Sequence, residues 1–491
     1  MIPIWTILAV PAASGLACAL LRRGRLVLWV CALGSVATAL VAGAIGWLGV
    51  GERTFGAGEH LMLDSLSLFH VVLATGVFAL SSLYAWDYFG PEADDGRFAG
   101  RKARRFGVCW FGFLASMVLV LLANNLGLMW VAMEATTVAS ALLICLEFDA
   151  PSIRAAWGYL LVCSIGIVLA LMGTFLFCGE AGNVALVSER AFLWTDLTNL
   201  AGRMRPGPAK LAFLFVLVGY GTKAGLAPMH TWLPDAHSRA PTPVSAVLSG
   251  VLLNGALYAI SRFLPLVDTA TGGHGWAFQI LVVFGLVSII VAAAFIVHEH
   301  DLKRLLAYSS VEHMGIITLA LGVGATTASL FHTFNHSVGK MLAFFCAGAL
   351  VNRYGTRDMR LMRGILGAAP LVATGIVLGL LALIGAPPFG VFMSELWIAR
   401  VGAQGGHLAA TVVFLLGASI VFIAALKHVM EMVWRAPAGS PPAVTPPGTP
   451  LLVGWPLVVV PLVLLVVVGV WMPADFATAL ERAATVIRGQ P

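Results

Sequence analysis

The hydrophobic residues of this 491-residue chain lie in long runs that are separated by short polar connections. A helix needs about 20 mostly apolar residues to cross the hydrocarbon core of a bilayer. The pattern predicts an all-α polytopic membrane protein with about 14 transmembrane helices. The predicted spans are residues 2–21, 26–48, 64–86, 106–122, 125–146, 155–178, 209–225, 243–264, 275–298, 304–324, 326–350, 368–399, 407–433 and 451–472.

Two of these runs, the seventh and the twelfth, are interrupted by glycine and proline at residues 219–228 and 383–390. Proline removes a backbone donor and clashes with the preceding turn, so both helices should open there. An open helix is tolerated at membrane depth only where protein or a water-filled cavity satisfies the freed backbone groups. Breaks five spans apart are typical of transporters built from inverted repeats. The sequence therefore predicts two inverted five-helix repeats, each containing a broken helix.

This reading divides the chain into four parts. Residues 1–105 hold transmembrane helices 1–3, and residues 106–264 form the first inverted repeat with helices 4–8. Residues 265–435 form the second repeat with helices 9–13, and residues 436–491 contain a Pro-rich linker and helix 14. The first run is apolar from its second residue and has no basic stretch before it, which favours a spanning helix over a cleaved signal peptide.

Composition excludes several other classes of protein. The chain is 59% hydrophobic and only 11% charged, too little charge to cover the surface of a soluble protein. Its seven cysteines are scattered without a CxxC pair, which predicts neither a metal cluster nor a disulfide framework. The net charge of +6 does not require a nucleic-acid partner, because basic residues concentrate in the loops on the inner side of a membrane.

The basic residues also predict the orientation of the chain. With the turn at residues 22–25 on the inner side, about twice as many basic residues fall in inner loops as in outer ones. This distribution predicts a multi-pass protein of the inner (plasma) membrane with both termini on the outer side.

Ionisable residues inside the predicted spans are the candidates for function, because such groups are costly in lipid. Glu134 lies in the middle of the fifth span, and Lys223 lies just before the first break. Burial and a nearby opposite charge shift the proton affinity of a lysine in opposite directions. Movement of Glu134 relative to Lys223 could therefore make the lysine hold or release a proton. A static buried ion pair that fixes helix register is the alternative.

A second group lies on the eleventh span. His332, His336 and Lys340 are spaced i, i+4, i+8, so they share one helix face over about 12 Å. Histidine exchanges protons near neutral pH, which favours a proton relay. The HxxxH spacing also suits a metal, but no third ligand lies in register, and we predict no metal site. A purely structural histidine pair is the remaining alternative.

Further polar residues flank the two breaks. Glu395 follows the second break and is expected to end the proton line, or else to cap the second half-helix. His230, Asp235 and His237 follow the first break. Lys303 directly precedes the tenth span, on the predicted inner side of the membrane. These four are candidates for proton uptake or relay, with ordinary loop polarity as the alternative.

Signatures of catalysis are missing from the sequence: we find no P-loop, no GxGxxG after a strand, no GxSxG and no clustered cysteines. The sequence predicts no cofactor bound by this chain. Free energy for transport would then come from a partner or from another ion gradient.

Several of these motifs together resemble the antiporter-like subunit family. The family includes the proton-pumping membrane subunits of respiratory complex I, the large Mrp sodium/proton antiporter subunits and the membrane subunits of group 4 hydrogenases. The resemblance covers roughly residues 60–430, and within the family it is strongest to hydrogenase-4 component F. The family motifs lie at residues 221–225, 230–237, 241–246 and 301–310 and on the His332/His336/Lys340 helix; those of the subfamily lie at residues 252–257, 310–317 and 356–359.

The resemblance implies roles for the candidate residues. Glu134 and Lys223 would be the first charge pair, the histidines and lysine of the eleventh span the central axis, and Glu395 the terminal group. Many complex I relatives carry a lysine where this chain has Asn254, or a histidine where it has Ser249. An amide or hydroxyl can hold a water but does not ionise near pH 7. The link from Lys223 to His332 must therefore run through water or another side chain.

The sequence thus predicts a proton-translocating subunit of a redox-driven complex, of the hydrogenase-4/formate hydrogenlyase or complex I type. Such a subunit has no redox centre of its own and works with other membrane subunits and, through them, with hydrogenase and iron–sulfur subunits. The ion is H⁺, with Na⁺ as the alternative. Three other functions stay open: an Mrp-type cation/proton antiporter subunit, an inorganic-carbon uptake membrane subunit and a structural membrane anchor.

Overall fold

The computed structural model describes residues 4–47, 53–184, 190–273, 275–434 and 454–489. The predicted Pro-rich linker at residues 436–450 lies outside the described residues. The chain is a polytopic helical membrane protein, with a helix in each of the fourteen apolar runs. Among the described residues, eleven helices are long and apolar enough to cross a membrane, or twelve if a bent pair near the C-terminus counts as one span.

The N-terminal part contains three helices and a small β-hairpin that the sequence pattern did not predict. The hairpin pairs its strands antiparallel, with Thr54 opposite Leu63. Asp64 caps the third helix, because its carboxylate accepts a 2.8 Å hydrogen bond from the backbone N–H of Ser67. The elements are α1 (Thr6–Leu20), α2 (Gly24–Trp47), β1 (Thr54–Gly56), β2 (Leu61–Leu63) and α3 (Ser65–Asp94).

The next part contains the first broken helix. It ends at Gly225, whose φ of +74° is a left-handed conformation that favours glycine. A π-helical turn at Leu248–Leu252 interrupts the following span, and such turns are frequent at functional sites. The helices are α4 (Gly100–Leu122), α5 (Leu126–Ile144), α6 (Ala150–Val184), α7 (Trp194–Leu200), α8 (Pro206–Ala224), α9 (Leu233–Arg239), α10 (Thr242–Val247) and α11 (Leu253–Ala270).

The second broken helix has a similar glycine, Gly385, at a φ of +71°. Near the C-terminus the chain bends by 82° between its last two helices, a bend that the sequence pattern did not predict. The final helix then packs against α3 and α14. The helices are α12 (Trp276–Ile296), α13 (Leu302–Gly322), α14 (Thr326–Tyr354), α15 (Ile365–Ala368), α16 (Pro370–Leu383), α17 (Gly390–Gln404), α18 (Leu408–Trp434), α19 (Trp455–Val470) and α20 (Ala474–Ile487).

Burial separates the helices into a centre and a periphery. The α10–α11 segment and α13 are buried along their lengths, and α14 is nearly so. By contrast, α6, α12 and α18 expose large apolar side chains such as Leu161, Val283 and Ile423. Exposed apolar surface of this kind suits contact with lipid. The central helices are therefore the ones that can hold polar side chains away from lipid.

Candidate functional site

The first charge group lies between α5, α6 and α8. The ammonium of Lys223 is fully buried and donates hydrogen bonds to Thr137 Oγ1 (2.6 Å) and to Tyr159 OH (2.8 Å). The Thr137 hydroxyl donates in turn to Glu134 Oε2 at 3.2 Å, and Ser164 Oγ donates to Glu134 Oε1 at 2.8 Å. The structure brings Glu134 and Lys223 together but inserts a hydroxyl between them.

The break after α8 explains why a lysine can be held at this depth. Lys223 lies in the last turn of α8, where the carbonyl end of the helix favours a positive charge. The indole N–H of Trp232 donates to the Thr222 carbonyl at 2.9 Å, which satisfies one backbone group freed by the break. A cavity of about 280 Å³ reaches Tyr159, and Asp235 is among its lining residues.

The central axis on α14 faces α13. His332, His336 and Lys340 are all fully buried, as the spacing predicts for one helix face turned to the protein interior. Nε2 of His332 lies 2.8 Å from Nδ1 of His313, and Nδ1 of His332 lies 2.9 Å from Ser394 Oγ on α17. The His336 and His313 rings are 5.0 Å apart between centroids. Three histidines therefore form one cluster, and hydrogen bonds extend it from α13 to α17.

The two members of the HxxxH pair differ in their surroundings: both ring nitrogens of the buried His336 have no hydrogen-bond partner in the described part of the chain, whereas those of His332 do. Both ring nitrogens of His332 are engaged in hydrogen bonds, one to His313 and one to Ser394. Across the described ranges of the chain, no three His, Cys, Asp or Glu residues are grouped so that they could hold a metal ion.

Glu312 of α13 lies next to this cluster. Lys340 donates a 2.9 Å hydrogen bond to the Leu306 carbonyl, and its charge interacts with that of the buried Glu312. Glu312 also acts electrostatically on Glu395. The Glu395 carboxylate packs against Gly385 at the second break, where a Cβ would come within 2.2 Å of it. Glu312 therefore lies within electrostatic range of both Lys340 and the predicted terminal group.

Glu312 and His313 are two buried residues whose roles were not predicted from the sequence. The available signal was their position near the middle of the tenth predicted span, because an intramembrane carboxylate or histidine is a functional candidate by default. Both lie in residues 310–317, one of the motifs that resemble hydrogenase-4 component F. The contact of His313 with His332 and the electrostatic effect of Lys340 on Glu312 depend on how α13 packs against α14, which the sequence does not show.

The residues after the first break lie on short helices rather than in an open loop. Asp235 on α9 is exposed and forms an ion pair with Arg304, which also binds Glu299 at 3.1 Å. His230 is buried beside the rings of Phe295 and Tyr308. The structure therefore separates the group, with Asp235 at the surface and His230 inside the protein.

His237 and Lys303 lie deeper on the same side. His237 is fully buried on α9, its ring stacked 5.5 Å from that of Phe344 on α14, and it interacts electrostatically with Lys303 and Lys340. The Lys303 ammonium donates a 2.6 Å hydrogen bond to the Ala240 carbonyl. Lys303 borders a cavity of about 420 Å³, which Tyr88, Ser238, Thr242, Asn352 and Arg357 also line. Lys303 and His237 thus lie between this cavity and the central axis.

Asn254, the departure noted in the sequence, contacts the central helix. Its Nδ2 donates to Ser337 Oγ at 2.7 Å and to the Gly250 carbonyl at 2.9 Å. In the adjoining π-helical turn, the hydroxyl of Ser249 lies 2.8 Å from that of Ser310. The segment α10–α11 therefore meets α13 and α14 through neutral polar groups.

The buried polar residues described above lie in a part of the chain that matches the model of one protein family. The family described as "NADH:quinone oxidoreductase/Mrp antiporter, TM" matches residues 123–421. The chain belongs to this family. The match includes both charge groups from Glu134 to Glu395, and it confirms the resemblance found in the sequence motifs.

Similar curated proteins include components of hydrogenase-4. The chain is 38% identical over 372 residues to a hydrogenase-4 component F homolog of Methylacidiphilum infernorum, covering 74% of this chain and 78% of that protein. It is 32% identical over 349 residues to hydrogenase-4 component B of Escherichia coli, and the match covers 68% of this chain and 50% of that protein. It is 30% identical over 371 residues to a Na(+)/H(+) antiporter subunit of Alkalihalophilus pseudofirmus, covering 70% and 42%. The chain thus spans half or less of the latter two proteins.

Solved structures share the fold along nearly the whole chain. A chain of the archaeal membrane-bound sulfane sulfur reductase has a TM-score of 0.85 at 20% identity, covering 99% of this chain and 97% of that one. A chain of Thermus thermophilus respiratory complex I has a TM-score of 0.77 at 23% sequence identity, and the match covers 96% of this chain and 99% of that one. A chain of the Dietzia Mrp complex has a TM-score of 0.80 at 19% sequence identity, and the match covers 100% of both chains. With the family match, this fold identifies an antiporter-like membrane subunit.

Proposed function

We propose that the chain translocates protons as a membrane subunit of a redox-driven complex of the hydrogenase-4/formate hydrogenlyase or complex I type. One observation carries the proposal: ionisable and hydroxyl side chains at membrane depth form two buried groups, one around Lys223 and one around Lys340. Ionisable side chains at membrane depth are costly to bury, so their presence indicates a functional site. The relatives named as hydrogenase-4 components favour a hydrogenase-type assembly, with hydrogenase and iron–sulfur subunits as partners.

Each group has its own cavity for proton uptake. In the first, a proton reaches Lys223 by way of Tyr159, and Thr137 transmits the charge of Glu134 to the lysine. In the second, Lys303 and His237 relay a proton from their cavity to Lys340. From Lys340 the proton continues through Glu312 to Glu395, with the histidine cluster beside this route. Glu134 moves relative to Lys223 when a partner subunit supplies the free energy.

The proposal includes the finer architecture: fourteen spans, with inverted repeats at residues 106–264 and 265–435 between the N-terminal part, residues 1–105, and the C-terminal part, residues 436–491. Gly225 and Gly385 end the first halves of the two broken helices, which supports the repeat. A carboxylate also lies on the second helix of each repeat, Glu134 on α5 and Glu312 on α13. Both termini lie on the outer side of the inner (plasma) membrane.

The test uses inverted membrane vesicles that contain the whole complex, energised by its electron donor. A pH-sensitive dye reports proton uptake. Lys223→Ala should abolish uptake while the complex assembles normally. Lys210→Ala on the same helix is the matched control, because Lys210 lies at the other end of α8 beside the Trp276 ring. Normal proton uptake in the Lys223→Ala variant would contradict the proposal.

The second candidate is an Mrp-type cation/proton antiporter subunit. It is favoured by 30% identity to the Na(+)/H(+) antiporter subunit of Alkalihalophilus pseudofirmus and by the fold shared with an Mrp complex chain. The same vesicles distinguish the two functions. A Na⁺ pulse that collapses a preformed pH gradient without any electron donor supports the antiporter, whereas uptake that depends on the donor supports the redox-driven subunit.

A further inference from the structure

A cavity of about 680 Å³ lies beside α3, between α2, α14, α19 and the final helix α20. Most of its lining is apolar, from side chains such as Leu68, Val72 and Leu80 of α3. The polar lining residues are confined to the start of α3 and to α20: Ser65, Asp475, Thr478 and Arg482. Sites for small molecules have volumes of about 300–1,000 Å³ and combine apolar walls with a few polar groups. The cavity therefore has the size and the lining of a ligand site with one polar end.

The depth of the cavity corresponds to one leaflet of a bilayer. On α3 it extends from Ser65 to Leu80, which is about 22 Å of helix axis. The whole helix has 30 residues and is about 45 Å long. Half of a hydrocarbon core measures about 15 Å, and the head groups lie beyond it. A transmembrane helix of a partner would need a groove along the full span, so this shorter cavity fits a lipid better.

The polar end carries one positive and one negative side chain. Asp475 and Arg482 are seven residues apart on α20, so they share one face at a separation of about 10 Å along the axis. Side chains on a helix lean toward its N-terminus, so the long side chain of Arg482 narrows this gap. Both side chains are exposed, and neither has an ion pair or hydrogen bond within the described part of the chain. Glu481 and Arg488, by contrast, pair with each other at 2.6 Å.

Two hydroxyl groups complete the polar end. The Thr478 hydroxyl donates to the Ala474 carbonyl at 2.9 Å, so its oxygen remains an acceptor. The Ser65 hydroxyl has no hydrogen-bond partner in the ranges that the structure describes and can donate. Arginine binds phosphate through two parallel hydrogen bonds, and carboxylate and hydroxyl oxygens accept from an ammonium group. The polar end therefore suits a head group that contains both a phosphate and an ammonium.

We infer that the cavity binds one phospholipid with a phosphoethanolamine head group, from the leaflet that contains α20. Arg482 and Ser65 bind the phosphate, and Asp475 and Thr478 bind the ammonium. An acyl chain lies against the apolar side of α3, where Gly76 leaves open space: a Cβ added there would meet no atom within 4 Å. The site is independent of the proposed function.

The bound lipid also contacts the central helix. Phe334, Val338 and Met341 of α14 line the cavity. At 100° per residue, these three lie on the side of α14 opposite to His336 and Lys340. The lipid therefore packs against the back of the helix that carries the histidine cluster and takes no part in the cluster itself.

The experiment uses the whole complex reconstituted into vesicles of phosphatidylethanolamine and phosphatidylglycerol. A trace of phosphatidylethanolamine carries a photoreactive group on an acyl chain, and mass spectrometry measures its crosslinks to α3. Arg482→Gln should lower the crosslink yield on the order of tenfold, because the charge-assisted hydrogen bonds to the phosphate are lost. Gly76→Leu should lower it as much, because the leucine side chain fills the space of the acyl chain.

The matched control is Arg203→Gln, since Arg203 is also exposed and without an ion pair to any described residue but does not line the cavity. Its crosslink yield should stay unchanged. The same probe with a phosphatidylglycerol head group should crosslink less in the unmodified complex, and Asp475→Asn should abolish that difference.

Three results would overturn the inference. An unchanged yield in either Arg482→Gln or Gly76→Leu would show that the lipid does not occupy this cavity with its head group at α20. Equal yields from the two probes in the unmodified complex would reject the ethanolamine head group. A photoreactive amino acid at position 76 that captures another subunit instead of lipid would show that a protein covers the cavity.

Discussion

The ammonium of Lys223 donates a 2.6 Å hydrogen bond to the hydroxyl of Thr137. That hydroxyl is also within hydrogen-bond distance of Glu134 at 3.2 Å, so it accepts from the cation and donates to the carboxylate. A neutral group thus separates two charges that a direct ion pair would hold in one arrangement. Rotation of one hydroxyl can strengthen or weaken their coupling.

This bridge predicts that the hydroxyl of Thr137 matters more than its size. Thr137→Val keeps the volume and removes the hydroxyl, so proton uptake should fall on the order of tenfold, whereas Thr137→Ser should stay near the unmodified rate. Thr136→Val is the matched control, because the buried Thr136 hydroxyl donates to the Met133 carbonyl at 2.6 Å rather than to a charged group. Equal rates in the two valine variants would contradict the bridge.

Glu312 is predicted to be as necessary for proton uptake as the site residues that were predicted from the sequence, such as Lys223 and Lys340. Glu312→Gln removes the ionisable carboxyl group that lies near Lys340 and Glu395 but keeps the size of the side chain. Proton uptake in the vesicles should be lost while the complex remains assembled. Glu431→Gln on α18 is the comparison, since Glu431 lies near the described end of that helix and is only partly buried. Retained uptake in Glu312→Gln would exclude the carboxylate from the route.

Sequence patterns predicted the kinds of residue and their helices better than the contacts among them. The i, i+4, i+8 spacing was enough to place His332, His336 and Lys340 on one buried face. Glycine and proline likewise marked both breaks. The Thr137 bridge and the contact of His313 with His332 join side chains from different helices. Such contacts depend on helix packing, which periodicity along one helix does not encode.

Arg262 shows that the pattern of charged residues along the sequence does not predict contacts between helices either. Counting basic residues in loops assumes that a residue near the end of a span faces water. Arg262 lies in α11 and turns inward, because Asp64 and the rings of Trp194 and Tyr258 provide its partners. These partners are 60 residues or more away along the chain or lie one turn before it, so only the folded protein brings them together.

Chelators are predicted to leave proton uptake unchanged. The HxxxH pair is the obvious candidate for a metal site, yet His332 uses both ring nitrogens in hydrogen bonds to His313 and Ser394. A metal ligand needs one of these nitrogens free. Vesicles energised by the electron donor should keep their initial rate of proton uptake after treatment with a membrane-permeant chelator. If electron transfer from the donor slowed together with proton uptake, the metal would belong to a partner subunit. A fall in proton uptake at an unchanged rate of electron transfer would contradict this assignment.

The Asp64–Arg262 pair is predicted to stabilise the fold in a way that a double-mutant cycle can measure. Removing one partner leaves an unpaired buried charge, which typically costs about 3–5 kcal/mol, so Arg262→Met should strongly lower the thermal stability of the purified complex. Asp64→Leu should do the same and also remove the cap of α3, worth about 1 kcal/mol. The double variant leaves neither charge unpaired and should recover most of the loss except that of the cap. Additive losses in the double variant would show that the two side chains are not coupled.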